Sequence, residues 1–271
     1  MDDLPNRSLV VQRSALEAGA LIPLKTELLV WPGQRFQLRR LISATPKHLS
    51  KAGPKPNPFR PWDRRLEVAS LAQHVVLLNK FPVQTGHLLL ISKGWQAQSD
   101  WLQSADWQAL CEVWAQQPGF WFFNSSAAAG ASQPHRHLQL LPRDADQSAC
   151  PLVAELGALA QGQPPSHRWQ RCVAARTLSA APTASELEAC YVDLGAELGL
   201  GETGGQQRPQ HPYNLLLSNQ WMVMVRRSQE SHAGFSVNAL GFAGYMLATE
   251  QSNLEWLQSS GGDALLDCVS A

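Results

Sequence analysis

Two histidines and a glutamine recur at every second residue in His135-Arg136-His137-Leu138-Gln139, a stretch bracketed by Pro134 and Pro142 and continued by Leu140 and Leu141. That length and punctuation predict a short strand. Strand side chains alternate with period 2, so His135, His137 and Gln139 share one face while Arg136, Leu138 and Leu140 take the other. A neutral imidazole is a good nucleophile near pH 7. It can form a covalent phosphoramidate when its other nitrogen is held by a hydrogen bond that fixes the tautomer.

Upstream, residues 125–132 are small and include Gly130, which suits a tight loop whose backbone N–H groups come close to an anion. Such a loop would stabilise charge developing on a phosphoryl oxygen. His-x-His on a strand is also a metal pair or a pair of hydrogen-bonded structural histidines. Glutamine is a poor metal ligand, however, and no Cys or carboxylate stands at a third strand position, which weakens the metal reading.

His-Arg-His-Leu-Gln preceded by Gly130-Ala131-Ser132-Gln133-Pro134 resembles the signature of the diadenosine tetraphosphate phosphorylases, or ATP adenylyltransferases, of the histidine-triad and galactose-phosphate uridylyltransferase group. The phosphorylases carry His-x-His-x-Gln where hydrolytic histidine-triad proteins carry a third His. Here Gln139 occupies that place.

The elements that position this motif are set by the rest of the chain. Its 271 residues suffice for one large domain or two moderate ones, and 44% hydrophobic residues are ample for a core. A formal charge of zero offers no global field for nucleic acid or an anionic membrane. Five widely spaced cysteines without a C-x-x-C pair suggest neither a disulfide framework nor a thiolate zinc site. With no basic start followed by an apolar core, and no run approaching about 18 apolar residues, a soluble cytoplasmic protein is expected.

Periodicity predicts a helix over 8–20, a strand over 36–43, an antiparallel pair of strands over 72–79 and 86–92, a helix over 104–115 capped by Ser104, and a strand over 120–124. A proline-rich loop runs from 46 to 59. After Pro142 come a helix over 151–160 and a linker over 161–166, the expected boundary between a catalytic domain of residues 1–165 and a C-terminal region of residues 166–271. Beyond it the pattern predicts a strand over 169–178, a helix over 185–200 capped by Ser185 with Glu188 three residues on, a loop over 201–210, strands over 211–218 and 221–227, and a last helix over 241–257. His74 and His87, each in an apolar strand, read as hydrogen-bonded structural histidines.

Further matches to the phosphorylases imply further site residues. Lys55, beside a Pro-Asn-Pro-Phe stretch, would reach the polyphosphate. Gln84 and Thr85 would belong to the nucleotide pocket, and Asn124 would contact the nucleotide. In the C-terminal strands Asn214, with Ser218 and Arg226, would hold the second nucleotide. Ser132 and Gln133, with backbone amides from Gly130 and Ala131 onward, would contact phosphate.

The resemblance thus implies an α+β fold with an antiparallel, histidine-triad-like sheet, flanking helices and a smaller C-terminal extension. The implied reaction is reversible phosphorolysis of diadenosine tetraphosphate by orthophosphate to ADP and ATP, with His137 as nucleophile, His135 orienting it, and Gln139 donating to a non-bridging oxygen. Alternatives are another nucleotidyltransferase, a dinucleoside polyphosphate hydrolase or a nucleotide-binding sensor. Mg²⁺ carried on the polyphosphate is plausible, and no protein-bound metal is expected.

Overall fold

The structure, a computed structural model, describes residues 3–43, 57, 59–144 and 146–271. The expected loop over 46–59, with Lys55, lies almost wholly outside these residues. Among them are seven α-helices and thirteen strands in an α+β arrangement.

The frame is an eight-stranded sheet in the order β3-β4-β5-β7-β6-β9-β10-β8. Its strands are β3 (Glu67–Ser70), β4 (His74–Leu78), β5 (Leu88–Ser92), β6 (Gly119–Asn124), β7 (His137–Pro142), β8 (Val173–Thr177), β9 (Tyr213–Leu217) and β10 (Trp221–Arg226). Every neighbouring pair is antiparallel. The segments on either side of the expected 165/166 boundary therefore contribute to one sheet, joined where β6 pairs with β9.

Both faces of the sheet are covered, which explains why its central strands read as continuous apolar runs. Trp121, Phe123, Leu138, Leu140, Leu215 and Leu217 pack on one side with Trp107, Leu110 and Tyr191. The last three come from α2 (Ser104–Trp114) and α4 (Ala184–Glu197). Phe120, Phe122, Leu141, Leu216 and Val223 pack on the other side with Leu156, Trp169 and Phe242. Leu156 lies on α3 (Val153–Ala160) and Phe242 on α5 (Ala239–Phe242). A smaller sheet, β1 (Thr26–Leu29), β2 (Gln37–Leu41) and β13 (Tyr245–Ala248), pairs β13 parallel to β2.

Local chemistry moved several expected boundaries. The first helix, α1 (Leu4–Glu17), starts earlier because Asp3 caps it, accepting from the Asn6 N–H at 3.2 Å, and a proline occupies its first turn. Ser104 is the first residue of α2, not its cap. Gln103 holds that place, its N–H donating to Asp106 Oδ2 at 2.8 Å. In α4 the capping box is Thr183 with Glu186, two residues before the expected Ser185, while Glu188 instead accepts from Ser104 Oγ at 2.8 Å and ties α4 to α2. The first part of the expected 169–178 strand is a 3₁₀ turn, Arg168–Cys172, before β8 begins.

The largest departure is at the C-terminus. Instead of one helix over 241–257, the chain forms α5, β13, α6 (Leu254–Ser260) and α7 (Gly262–Val269). Gly244 is the cause. It sits at φ +99°, and a Cβ there would lie 2.8 Å from Pro151 Cβ and 2.9 Å from Leu152 Cγ. Only glycine turns the chain so closely, and the turn sends Tyr245 into register with Gln37 of β2.

Candidate active site

The alternation expected of the central motif holds. His137 pairs with Ile91, and Gln139 with Leu89 on one side and Phe122 on the other. Directly paired residues share a face, so His137 and Gln139 stand together between two apolar clusters. Arg136 points the other way. Buried at 1% exposure, it donates Nη1 to Asp106 Oδ2 at 2.7 Å, and Asp106 Oδ1 lies 2.9 Å from His74 Nε2. This ion pair locks β7 to α2 from behind the site. The guanidinium and His74 more than offset burial and hold the Asp106 carboxyl below the usual carboxylate range.

Hydrogen bonds fix the protonation of both motif histidines. His137 Nδ1 lies 2.8 Å from the His135 carbonyl, which can only accept, so Nδ1 carries the proton and Nε2 keeps its lone pair. Burial drives the His137 pKa down to about 4. The ring is therefore neutral at physiological pH. His135 donates Nε2–H to the Ser92 carbonyl at 2.8 Å, and its Nδ1 accepts from Asn57 Nδ2 at 2.9 Å. The Phe59 ring covers both imidazoles, with centroids 5.8 Å and 5.5 Å away.

Beside them a cavity of about 940 Å³ opens between the large sheet and the small one. Gln84, Asn124, Gly130, Ala131, Ser132 and Gln139 line it. His135 and His137 are buried and do not line it, although Gln139, two residues from His137 on the same face of the strand, does. Thr85, Gln133, Asn214, Ser218 and Arg226 also stand outside its wall. Arg39 is the one cationic side chain among the described lining residues, and Glu230 and Glu250 are its carboxylates.

The loop before β7 is bound internally. Gly130 N–H donates to the Ala127 carbonyl and Ala131 N–H to the Ser126 carbonyl, each at 2.9 Å. The expected cradle of amides thus narrows to those of Ser132 and Gln133, which have no backbone partner among the described residues. Gln133 Oε1 is also buried without a partner among these residues. Gly130 itself, at φ +85°, packs against the segment before α5. A Cβ on it would meet Asn238 Cβ at 2.6 Å and the Val237 carbonyl at 2.9 Å.

The C-terminal candidates do not line the cavity. Asn214 is fully buried, and its amide is spent: Nδ2 donates to Asn124 Oδ1 and the Ala129 carbonyl, each at 2.8 Å, and Oδ1 accepts from Arg227 Nη1 at 2.5 Å. It holds the loop and Asn124 rather than facing the cavity. Ser218 Oγ accepts from the Gln220 and Trp221 N–H groups in the β9–β10 turn, and Arg226 donates to the carbonyls of Ala271 and Leu198. Asn124 itself accepts from the Ala239 N–H at 2.8 Å, and its Nδ2 has no partner among the described residues. Gln84 is bonded to the Pro142 carbonyl and Arg143 at the cavity wall.

Three residues escaped the sequence reading. Arg227 is buried, and burial lowers its pKa to about 10, so it remains a cation. Gln98, 2% exposed, bonds the backbone of His137 and Asn124. His87, read as structural, lines the cavity and contacts Gln139, its Nε2 lying 3.0 Å from Gln139 Oε1. Among the described residues no three His, Cys, Asp or Glu side chains gather as a metal cluster.

The sequence and the fold both resemble those of known proteins. The chain is 26% identical to Protein APA1 of Saccharomyces cerevisiae over 94% of its length and 91% of the yeast protein. It is 24% identical to the yeast diadenosine 5',5'''-P1,P4-tetraphosphate phosphorylase 2 over 68% of its length and 64% of that protein. Its fold matches crystal structures of yeast Ap4A phosphorylase Apa2. The match to the complex with Ap4A has a TM-score of 0.73 at 21% identity, covering 99% of this chain and 96% of that one. The structure without a named ligand gives a TM-score of 0.72 at 21% identity, covering 99% of this chain and 93% of that one. Residues 2–157 match the Ap4A phosphorylase N-terminal domain and residues 164–271 the ATP adenylyltransferase C-terminal domain, so the chain belongs to the Ap4A phosphorylase and ATP adenylyltransferase family, enzymes of the nucleotidyltransferase type.

Proposed function

We propose that this enzyme phosphorolyses diadenosine tetraphosphate to ATP and ADP, reversibly, through a covalent adenylyl group on His137. The observation that carries the reading is the 2.8 Å contact from His137 Nδ1 to the His135 carbonyl. It leaves Nε2 as an unprotonated nucleophile on a ring that burial keeps neutral.

In the first step Nε2 attacks an α-phosphorus, a P–N bond forms, and the bond to the bridging oxygen breaks as ATP leaves. Orthophosphate then attacks the same phosphorus, the P–N bond breaks, and ADP departs with His137 restored. Gln139 donates an amide N–H to a non-bridging oxygen but has no proton to give a poor leaving group. That favours triphosphate departure and phosphate as acceptor over water. The Ser132 and Gln133 amides contact the phosphates, and Asn124 Nδ2 and Gln84 face the bound nucleotide. Lys55 keeps the role the resemblance implies, and Asn214 acts through Asn124 and the loop. Thr85, Ser218 and Arg226 stand outside the cavity wall, the last two bonded elsewhere, and are given no contact with the nucleotide. Arg39, which also donates Nε–H to Thr26 Oγ1 at 2.6 Å, is a further cation within reach of a polyphosphate.

Mg²⁺ belongs to the nucleotide in this reading, because the described cavity wall offers two carboxylates and one arginine for a ligand of high negative charge. The five cysteines are free thiols, which supports a reducing, cytoplasmic compartment, and no helix among the described residues is long and apolar enough to cross a membrane.

The test is chromatography of products from diadenosine tetraphosphate with and without orthophosphate. ADP and ATP formed only with phosphate, together with acid-labile label on wild-type protein but not on His137→Asn, is the expected result. AMP and ATP formed regardless of phosphate would make the enzyme a hydrolase. No turnover would move the reading to another nucleotidyl substrate or a sensor.

A further inference from the structure

An amide side chain can present either of two opposite groups, and the value of Gln139 depends on which one faces the phosphorus. Its NH₂ would stabilise charge on a non-bridging oxygen, whereas its carbonyl would repel it. The surrounding hydrogen bonds decide between them, in a chain that starts from a group with no choice of role.

The Phe81 backbone N–H can only donate, and it donates to Asn79 Oδ1 at 3.1 Å. That contact fixes the Asn79 amide, so Nδ2 is the group 3.2 Å from His87 Nδ1. Nδ1 must then accept. His87 is buried, and burial holds its pKa down at about 3, so the ring is neutral and carries its single proton on Nε2. Nε2–H therefore donates to the Gln139 oxygen 3.0 Å away, which is the Oε1 end. The Gln139 NH₂ has no partner among the described residues, and Gln139 lines the cavity.

The same device recurs next door. Phe59 N–H donates to Asn57 Oδ1 at 3.0 Å, Asn57 Nδ2 lies 2.9 Å from His135 Nδ1, and His135 Nε2–H goes to the Ser92 carbonyl. Two Asn-x-Phe turns thus each set the tautomer of one histidine beside the nucleophile's strand.

We infer that His87, held by Asn79, is a positioning residue that orients the Gln139 amide with its NH₂ toward the reacting phosphoryl group. This rests on the phosphorolysis reading for its catalytic consequence but not for the relay itself. Without His87 the Gln139 amide is free to turn. The transition state then loses a fixed donor, while ground-state binding, spread over the cavity, changes little.

Two measurements test it. Long-range ¹H–¹⁵N correlation spectra of the full-length protein labelled with ¹⁵N-histidine, with His87 assigned by its loss in His87→Gln, should show the Nε2–H tautomer between about pH 6 and 8. An Nδ1–H tautomer or an imidazolium would overturn the relay whatever the enzyme does. Asn79→Ala should mix the two tautomers in the same spectra, and an unchanged pure Nε2–H signal would remove Asn79 from the relay. In kinetics, His87→Leu should lower kcat by about 10²-fold, with KM for diadenosine tetraphosphate within about threefold of wild type. His87→Gln, which can offer an amide donor to the same oxygen, should recover at least about tenfold of that loss. Equal kcat in the leucine and glutamine variants, or a loss confined to KM, would refute positioning. Should His87→Leu fail to fold, the wild-type tautomer and the Asn79→Ala and His87→Gln rates still decide the matter. A wild-type enzyme without phosphorolysis would sink the functional reading while the spectra judged the relay separately.

Discussion

Gln98 Oε1 accepts the backbone N–H of His137 at 2.8 Å, while Gln98 Nε2 donates to the carbonyls of His137 at 3.2 Å and Asn124 at 2.7 Å. One buried amide therefore stands in for the ladder at the point where two strands part. β6 pairs with β7 only as far as Phe122 opposite Gln139, while on its other edge it stays paired with β9 from Trp121 opposite Leu217 to Asn124 opposite Asn214. Beyond that point Gln98 supplies hydrogen bonds that the parting backbones of β6 and β7 no longer make with each other.

Replacing Gln98 by leucine should leave a buried N–H and two carbonyls unpaired at the nucleophile. The expected cost is about 2–5 kcal/mol of stability, read as a lower denaturant midpoint, together with a fall in kcat from a displaced His137. An unchanged midpoint and kcat would show that the strand start is held by other means.

The pH response follows from two buried imidazoles. The pKa values of His137 and His87 stand at about 4 and about 3 in the folded protein, against an ordinary value of 6.5. As pH falls through about 6.5 the unfolded chain takes up two protons that the folded chain refuses, so stability must drop on acidification until those lower values are reached. Each histidine contributes a slope of up to ~1.4 kcal/mol per pH unit in that window. The nucleophile meanwhile stays unprotonated. Single-turnover adenylylation should therefore show no loss near pH 6.5 and hold to about pH 5 while the fold persists. An acid limb centred near pH 6.5 would contradict the buried, neutral His137.

Much of this site was readable from the chain, and the unread parts share a cause. His135, His137 and Gln139 stand on a run so short and so clearly punctuated that period 2 alone places them. Gln98, Arg227 and the role of His87 depend on partners far away in sequence, such as Val269 for Arg227 and Gln139 for His87. The repeated Asn57-Pro58-Phe59 and Asn79-Lys80-Phe81 were a signal in plain sight, since Asn favours hydrogen bonding to the backbone two residues on. Asn214 showed its strand but not its neighbours, which take up its amide. The C-terminal helix was misread because apolar spacing over 241–257 ignored the positive φ that packing forces on Gly244.

Gln139→His should convert acceptor preference. An imidazole there can assist water or protonate a poorer leaving group, which an amide cannot do. We expect AMP plus ATP in the absence of phosphate to rise at least about tenfold relative to wild type, measured by product chromatography. A ratio of AMP to ADP no higher than that of the parent enzyme would count against Gln139 as the residue that disfavours water.

Arg227 couples the C-terminal strands to the loop. Its guanidinium donates to the carbonyls of Val269 at 2.9 Å, Gln229 at 2.7 Å and Ala129 at 3.4 Å, and to Asn214 Oδ1. A planar fork with five donors can serve all of these at once. A lysine carries the same charge but only three donors at a single point, so Arg227→Lys separates charge from geometry. If geometry matters, the lysine variant should lose about 2–4 kcal/mol of stability and also weaken nucleotide binding, because Ala129 and Asn214 position the loop and Asn124. Isothermal titration with a non-reacting dinucleotide analogue and a urea melt would read the two effects. Wild-type values in both would mean that the buried charge alone suffices to hold the loop in place.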